Sequence, residues 1–477
     1  MAGYTDPSGE PMLSTVQPFT AVRGRLAFIA IAAVLAMLGA TALAGAAAPS
    51  ADAATNFTAQ AKKKCKKVKK PAAKKRCIKR TVRQLRAAER RDRGKVGVMT
   101  RNLYLGADLG PAIRASSLSA FIEANGEIMR DVDTNNYPVR VKGLAGEIRS
   151  KSPDVVGLQE VSLWRTGELG PPKVKPATPP EEFNTRTVKY DYLDLLMKEL
   201  NKGKKRYRVV HVTTEFDFEG PADFDDDVNG FPDINGRLTM RDVIIVKVGS
   251  DIRTRNATGG NYSTIFAPRV GGPSGLDVTV DRGWGSVEVK VRNSPWFKFV
   301  NTHLEAFGDD KNKVVDCMTT PAPEFASNPV SIRCSQAKEL YETVIAPGDL
   351  PVVLTGDINS DDDSVVDVNC PSAANTDGSL VGNNGGQCGD TFAYNALKTN
   401  GMVNVSTSDP MSCCLNDDIL TADNGSPSDF DHHIDHILTD SPARVKKLNS
   451  SVSGLAPVNG YWNSDHAGVY SLLRITP

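Results

Sequence analysis

The sequence predicts a mixed α/β fold in which packed sheets are flanked by helices, and three observations carry that expectation. From Lys95 onward, short β-branched runs alternate with stretches that are apolar at helical spacing. Several of those runs, such as Val96-Gly97-Val98-Met99 and Val352-Val353-Leu354, are apolar at nearly every position, as strands buried on both faces are. With 477 residues, 40% of them apolar, the chain can bury a large core. That composition excludes a disordered or fibrous chain, and no internal repeat is visible.

In chain order, Val96 to Thr100 reads as a buried strand. Val139 to Ser150 reads as a helix with Val141, Leu144, Ala145 and Ile148 on one face. Val155 to Leu158 is a second strand. Tyr190 to Leu200 is an amphipathic helix turning Leu193, Leu196, Met197 and Leu200 inward, with Gly203 as its stop. Alternation and β-branching mark Tyr207 to Thr213, Asp242 to Val248, Ser286 to Val291 and Phe297 to Thr302 as strands. Ser335 to Ile345 is a helix, and Val352 to Leu354, Ile434 to Leu438 and Val469 to Ile475 are the remaining strands.

Charge divides the chain more sharply than its formal net of +1 suggests. Residues 62–95 hold 18 Lys/Arg against only Glu89 and Asp92, whereas residues 96–477 hold 37 basic and 51 acidic side chains. Ahead of the basic stretch, Arg23 and Arg25 precede an apolar, small-residue run from Leu26 to about Ala48, which reads as a signal peptide. Its length also admits an uncleaved anchor. The expected organisation is a signal region over 1–54, a lysine-rich leader over 55–95 with a helix from Thr81 to Arg93, and one catalytic domain over 96–477. Export is therefore expected, with the leader serving either as a spacer or as an attachment to an anionic polymer or surface. Eight cysteines with no CxxC pattern favour disulfides in an exported chain. Nearest-neighbour pairing gives Cys65 with Cys77, Cys317 with Cys334 and Cys370 with Cys388. Adjacent Cys413 and Cys414 are not expected to pair with each other.

Polar residues suited to phosphate chemistry recur at the ends of the apolar strands. They are Arg101-Asn102, Gln159-Glu160, Asn301-Thr302-His303-Leu304-Glu305, Gly356-Asp357-Ile358-Asn359, Ile434-Asp435-His436-Ile437-Leu438 and Asn463-Ser464-Asp465-His466. A single strand-end Asn or Asp is ordinarily a turn former. Strand ends on one sheet edge, however, can converge on a single cleft.

This ordered series resembles the endonuclease/exonuclease/phosphatase superfamily over residues 96–477. The resemblance implies a four-layered α/β sandwich with two central mixed β-sheets and an active site at one edge between them. It implies a Mg²⁺- or Mn²⁺-dependent phosphoesterase, with Glu160 the main metal ligand and Asn102 and Asp465 contributing. Hydrolysis needs neutralised phosphoryl oxygens, a positioned nucleophile and a stabilised leaving oxygen. Asp357 and Asn359 are accordingly expected to orient water and hold a phosphate oxygen, and His303 to donate to the phosphoryl group. His466 is expected to act as general base or phosphate ligand, with Asp435 fixing its tautomer. Arg241-Asp242 is expected to orient His303, to reach the phosphate or to form a surface ion pair, and His432, His433 and His436 to be solvated or to support the site from behind. Tyr104 stands where some relatives carry an acid, which leaves a second metal position open.

A separate stretch places Asp225, Asp227, Asn229 and Asp233 at calcium-loop spacing, although the twelfth position is Gly236 rather than Glu. A structural Ca²⁺ site and an acidic solvated loop both fit. The expected partner is a phosphate-ester substrate, with extracellular DNA or RNA favoured over a lipid or small phosphodiester, acted on by a monomer. A non-catalytic surface-binding protein of the same fold is the rival, and the filled catalytic positions speak against it.

Overall fold

The computed structural model describes residues 51–174, 183–225, 231–249, 251–273, 275–308, 317–318, 330–362, 391–407, 409–415 and 417–477. The expected signal peptide, the Cys370–Cys388 pairing and the centre of the acidic stretch, including Asp227 and Asn229, lie outside them. Among the described residues no helix is long and apolar enough to cross a membrane. Contacts divide the chain into two units, Met1–Arg83 and Gln84–Pro477. In the first, helix Ala51–Lys64 is followed by a second helix, Pro71–Asp92, which continues past the division, and Cys65 is bonded to Cys77 as expected.

The second unit is built on two mixed sheets. The larger has nine strands and the other has six. Side-chain alternation explains how each sheet serves two cores at once. In strand Lys95–Asn102, Val96 and Val98 point between the sheets, while Met99 points outward. Likewise Ile244 and Val246 of Ile234–Lys247 face the second sheet, and Val243 and Ile245 face helices Leu118–Thr134, Tyr137–Lys151 and Tyr192–Leu200. On the second sheet, Phe297, Phe299, Val353 and Ile437 complete the central layer. Val300, Val352, Leu354 and Leu438 pack outward, in one cluster with residues of helices Ile332–Leu340 and Phe392–Thr399. The result is the four-layered α/β sandwich. The sheets approach closely where Gly157 lies against the Asn301 side chain, a space that any Cβ would fill.

Strand direction gathers the site. Lys95–Asn102 runs parallel to Val155–Gln159, and Phe297–His303 runs parallel to Val352–Asp357. Their C-terminal ends deliver Asn102, Glu160, His303 and Asp357 to one edge. Asp435–Thr439 and Gly468–Ile475 run antiparallel to their neighbours, so their beginnings arrive at that same edge, with Asp435 paired in register to Asp357.

The predicted elements recur, several with longer bounds, but the helix expected from Tyr190 begins at Tyr192, with Tyr190 and Asp191 in strand Thr187–Asp191, and several elements were missed. Leu118–Thr134 is a helix capped by the Ser117 side chain, which accepts from the Ala120 N–H. Its Asn125, Gly126, Asp131 and Thr134 are weak helix formers, and buried Phe121, Ile128 and Val132 override them. Strands Leu163–Gly167, Ile252–Asn261 and Val445–Ser453 were also unanticipated. Cys317 and Cys334 are bonded. Contrary to expectation, Cys413 is bonded to Cys414.

Candidate active site

Asn102 occupies the centre of the convergent edge. Its amide nitrogen donates to Glu160 Oε1 and to Asp357 Oδ2, each at 3.0 Å, and lies 3.5 Å from His466 Nε2. The second Glu160 oxygen accepts from the Leu105 N–H at 2.6 Å, and Asp357 Oδ1 accepts from the Asn359 N–H at 3.0 Å. Tyr104, Glu160 and Asn359 all hold positive φ, at 58°, 55° and 49°. Non-glycine residues in that region carry strain that the surroundings must over-determine, and such residues cluster at functional sites. Arg101 is fully buried and anchors this edge by donating to the backbone carbonyls of Asn102 and His466 while pairing with Glu147 at 3.1 Å. Arg333 does the same for Asn359, donating to its carbonyl at 2.7 Å.

The two imidazoles are held by opposite means. His466 Nδ1 lies 2.8 Å from Asp435 Oδ2, so that nitrogen carries a proton and Nε2 faces Asp357 at 3.6 Å. Burial disfavours its charge, but Asp435, Asp465 and Asp357 outweigh burial and hold it well above the usual histidine range. His303 Nε2 also lies 3.6 Å from Asp357 Oδ2, while its Nδ1 faces the Arg282 guanidinium at 2.9 Å. Arginine can only donate, so His303 Nδ1 accepts and Nε2 carries the hydrogen toward the cleft. Burial and then Arg282 push its pKa well down, leaving a neutral ring.

Arg282 was not found in the sequence. It is set by the sheet, because neighbouring Gly283 is the cross-strand partner of His303. Buried Glu215 and Glu305 flank it at 3.9 and 3.5 Å. Asp242 is buried and grouped with Glu215 and His303, and among the described residues neither of its carboxylate oxygens has a hydrogen-bond partner. Burial, then Glu215, drives its pKa well up. Arg241 does not reach the site. It donates to the carbonyls of Val161 and Ser162 and to Asp191, and it is buried rather than part of a surface pair. His432, His433 and His436 are likewise buried rather than solvated, because Asp361 and Asp362 fold over two of them. Tyr104 supplies no acid, and its hydroxyl donates to the Asp418 carbonyl.

Residues 124–466, more than half of the chain, match the model of the Endonuclease/Exonuclease/phosphatase family. The chain belongs to that family. Its members are metal-dependent phosphoester hydrolases. Similar solved structures include an endonuclease/exonuclease/phosphatase family protein from Bacteroides thetaiotaomicron (15% identity, 80% of this chain and 97% of that one, TM-score 0.39). The mannosyl-6-phosphatase Bt3783 of Bacteroides thetaiotaomicron VPI-5482 (14%, 79% and 99%, 0.38) is another. So is TDP2 of D. rerio complexed with single strand DNA product (15%, 80% and 98%, 0.38). No curated protein matches the sequence.

A divalent cation of the kind this family uses fits the residues present. Burial, then the Asp465 charge, raises the Glu160 pKa, and burial, then Asp435, raises Asp357 to about 7. Such crowded, desolvated carboxylates are relieved by a cation, and hard oxygen donors are the set that Mg²⁺ or Mn²⁺ takes. Asp465 lines the same cavity, partly exposed, with Ser464 Oγ donating to it at 3.2 Å.

Proposed function

We propose that this chain is an exported Mg²⁺- or Mn²⁺-dependent phosphoesterase that hydrolyses a phosphoester whose organic group is apolar. One observation carries the substrate class. The cavity of about 390 Å³ that holds Glu160, His303, Asp357 and His466 continues over Phe121, Met129, Trp164, Phe218, Leu238 and Met240. A phosphate seated among the polar groups would place its ester substituent against that apolar wall, where each buried methylene contributes about 0.8 kcal/mol.

Glu160, with Asn102 and Asp465, would hold the metal, which when bound neutralises charge on the phosphoryl oxygens. His303 donates its Nε2–H to a phosphoryl oxygen. Asp357, poised near neutral pH, takes the proton of the attacking water, which Asn359 helps to seat. His466 binds the phosphate as an imidazolium, in the orientation that Asp435 fixes. Export rests on the Leu26 to Ala48 stretch and on the disulfides. N-terminal sequencing should find the mature start between Pro49 and Thr55, and an intact Leu26 to Ala48 would indicate an anchor instead.

The second reading is a nuclease, and the basic stretch 62–95 favours it, because the acidic remainder repels a polyanion at long range. A panel of long DNA, RNA, phospholipid and small phosphodiesters, assayed with Mg²⁺, Mn²⁺, Ca²⁺ and EDTA, separates the two. Hydrolysis that improves as the ester group becomes more apolar supports the first reading. Preferred cleavage of long DNA or RNA, weakened and made less salt-dependent by deleting residues 62–93, supports the second. Full activity in EDTA refutes both.

A further inference from the structure

Strand Ile234–Lys247 carries the apolar wall of the cavity away from the catalytic edge. One point of the strand is fixed beside Glu160, because the Val161 N–H donates to the Arg241 carbonyl and the Ser162 hydroxyl lies 3.7 Å from Met240 Sδ. Alternation places Met240, Leu238 and Gly236 on one face of the strand, and all three line the cavity. At the rise of an extended strand, Gly236 stands about 13 Å along it from Met240.

Successive rows across the sheet differ along this wall. Leu238 is paired with Trp164 on one neighbouring strand and with Phe218 on the other, so its row is filled by large side chains. Two residues on, Gly236 is paired with Gly220, and no side chain rises from either. Neither glycine has a positive φ, so close approach rather than backbone conformation calls for glycine here. A Cβ at Gly236 would fall inside van der Waals contact of Met129 Sδ, and one at Gly220 would stand 2.7 Å from the Phe218 ring. Met129, from helix Leu118–Thr134, is thus seated in the hollow over Gly236, and the Phe218 ring lies down over Gly220. Both side chains line the cavity, and Met129 is only 3% exposed. A side chain at Gly236 would therefore drive Met129 toward the space it borders, which is the cavity.

We propose that Met129, seated on Gly236, sets the length of the apolar ester group that the cavity accepts. The proposal rests on the reading of this cavity as the seat of an apolar phosphoester and adds to it the residues that determine chain length. Chains that stop short of Met129 gain contact with every added methylene. Longer ones must displace a packed side chain, and overpacking a filled space is unfavourable. An unbranched thioether suits such a stop, since its rotatable bonds let it fill an irregular hollow. Met129 and Gly236 select the substrate and take no part in the chemistry.

The test measures binding rather than turnover. Unbranched alkylphosphonates, which have no ester bond to hydrolyse, are titrated calorimetrically into the full-length protein with Mg²⁺, from butyl upward until affinity levels off. On the wild type, affinity should rise about fourfold per methylene up to a limiting length. Gly236→Ala should shorten that limit by about two methylenes, lowering the affinity of the wild-type limiting chain relative to butyl by roughly fifteenfold. Met129→Ala should lengthen the limit, and the double variant should recover at least the wild-type length. An unmoved limit in folded Gly236→Ala overturns the proposal, as does a double variant that stays as short as Gly236→Ala. Should Gly236→Ala fail to fold, Met129→Ala decides alone, and an unlengthened limit overturns the proposal. If the wild type binds no phosphonate, or binds every length equally, the apolar-ester reading falls and this proposal with it. A wild-type length dependence that the variants leave in place overturns this proposal alone.

Discussion

His466 and His303 each place Nε2 3.6 Å from the same Asp357 carboxylate oxygen, yet their surroundings leave one charged and the other neutral. His466 comes from the loop before a strand of the larger sheet, and it is ringed by Asp465 of that loop and by Asp435 and Asp357 of the second sheet, so its ring is cationic. The His303 side belongs to the second sheet and is governed by Arg282, so its ring is neutral. One residue type thus offers a cationic ring on one flank and an uncharged hydrogen-bond donor on the other. The lesson is that the neighbours, rather than the histidine, set the role.

The largest expected effect breaks both flanks together. Removal of the divalent cation by EDTA should abolish hydrolysis of whichever panel substrate is turned over, and Mg²⁺ or Mn²⁺ should restore it. Glu160→Gln should raise the cation concentration needed for half-maximal rate, since one anionic ligand is lost. Next, His466→Ala and His303→Ala should each lower kcat by roughly 10² or more with the fold retained by circular dichroism. The double variant should lose less than the product of the single losses, because both act on one event. Unchanged rates in both single variants would refute the shared site.

Arg282→Gln sharpens the comparison with a smaller loss, roughly tenfold in kcat, and a diagnostic shift in the titration of His303. Burial and the Arg282 charge both disfavour the His303 imidazolium. Removing the guanidinium raises the pKa of that ring, which an NMR titration of the His303 imidazole should register, since Asp357, raised to about 7, governs the acid limb of the rate profile. Burial already raises the neighbouring Glu215 to about 8, and that group remains protonated without its partner. An unmoved His303 titration would show that Arg282 only packs.

The smallest effect concerns the carboxylates beside the His466 flank. Burial, then Asp108, Asp465 and Asp417, raises Asp418 to about 7. A carboxyl whose pKa is raised on folding binds more protons in the native state than in the unfolded state. Its contribution to stability therefore falls as pH rises from about 4 through 7. Asp418→Asn should raise the Tm by roughly 2–4 °C at pH 8, on the scale of about 1 kcal/mol, and change it little at pH 4. An equal shift at both pH values would remove the electrostatic explanation.

About half of the strands and helices were legible in the sequence, because apolar periodicity is a local property. Val141, Leu144, Ala145 and Ile148 announce one buried helix face, and all four are buried. The convergence of Asn102, Glu160, His303, Asp357, Asp435 and His466 was legible for a related reason. Each ends or begins an apolar run, and strand direction then carries such ends to one edge. Helix Leu118–Thr134 was not legible, since its weak helix formers are overruled only by packing against the larger sheet.

By itself, the sequence determined the alternation of strands and helices, the segregation of basic and acidic charge, and the residue types available for phosphate chemistry. These depend on side-chain order alone. Only the tertiary structure decided that Arg282 orients His303, that Arg241 points away, that His433 and His436 share a buried cluster, and that the catalytic cavity opens along an apolar wall. Each of these depends on register between strands far apart in the chain, such as Gly283 beside His303 and His436 beside Gly356. A shift of one residue in that pairing would turn every side chain of the strand to the opposite face.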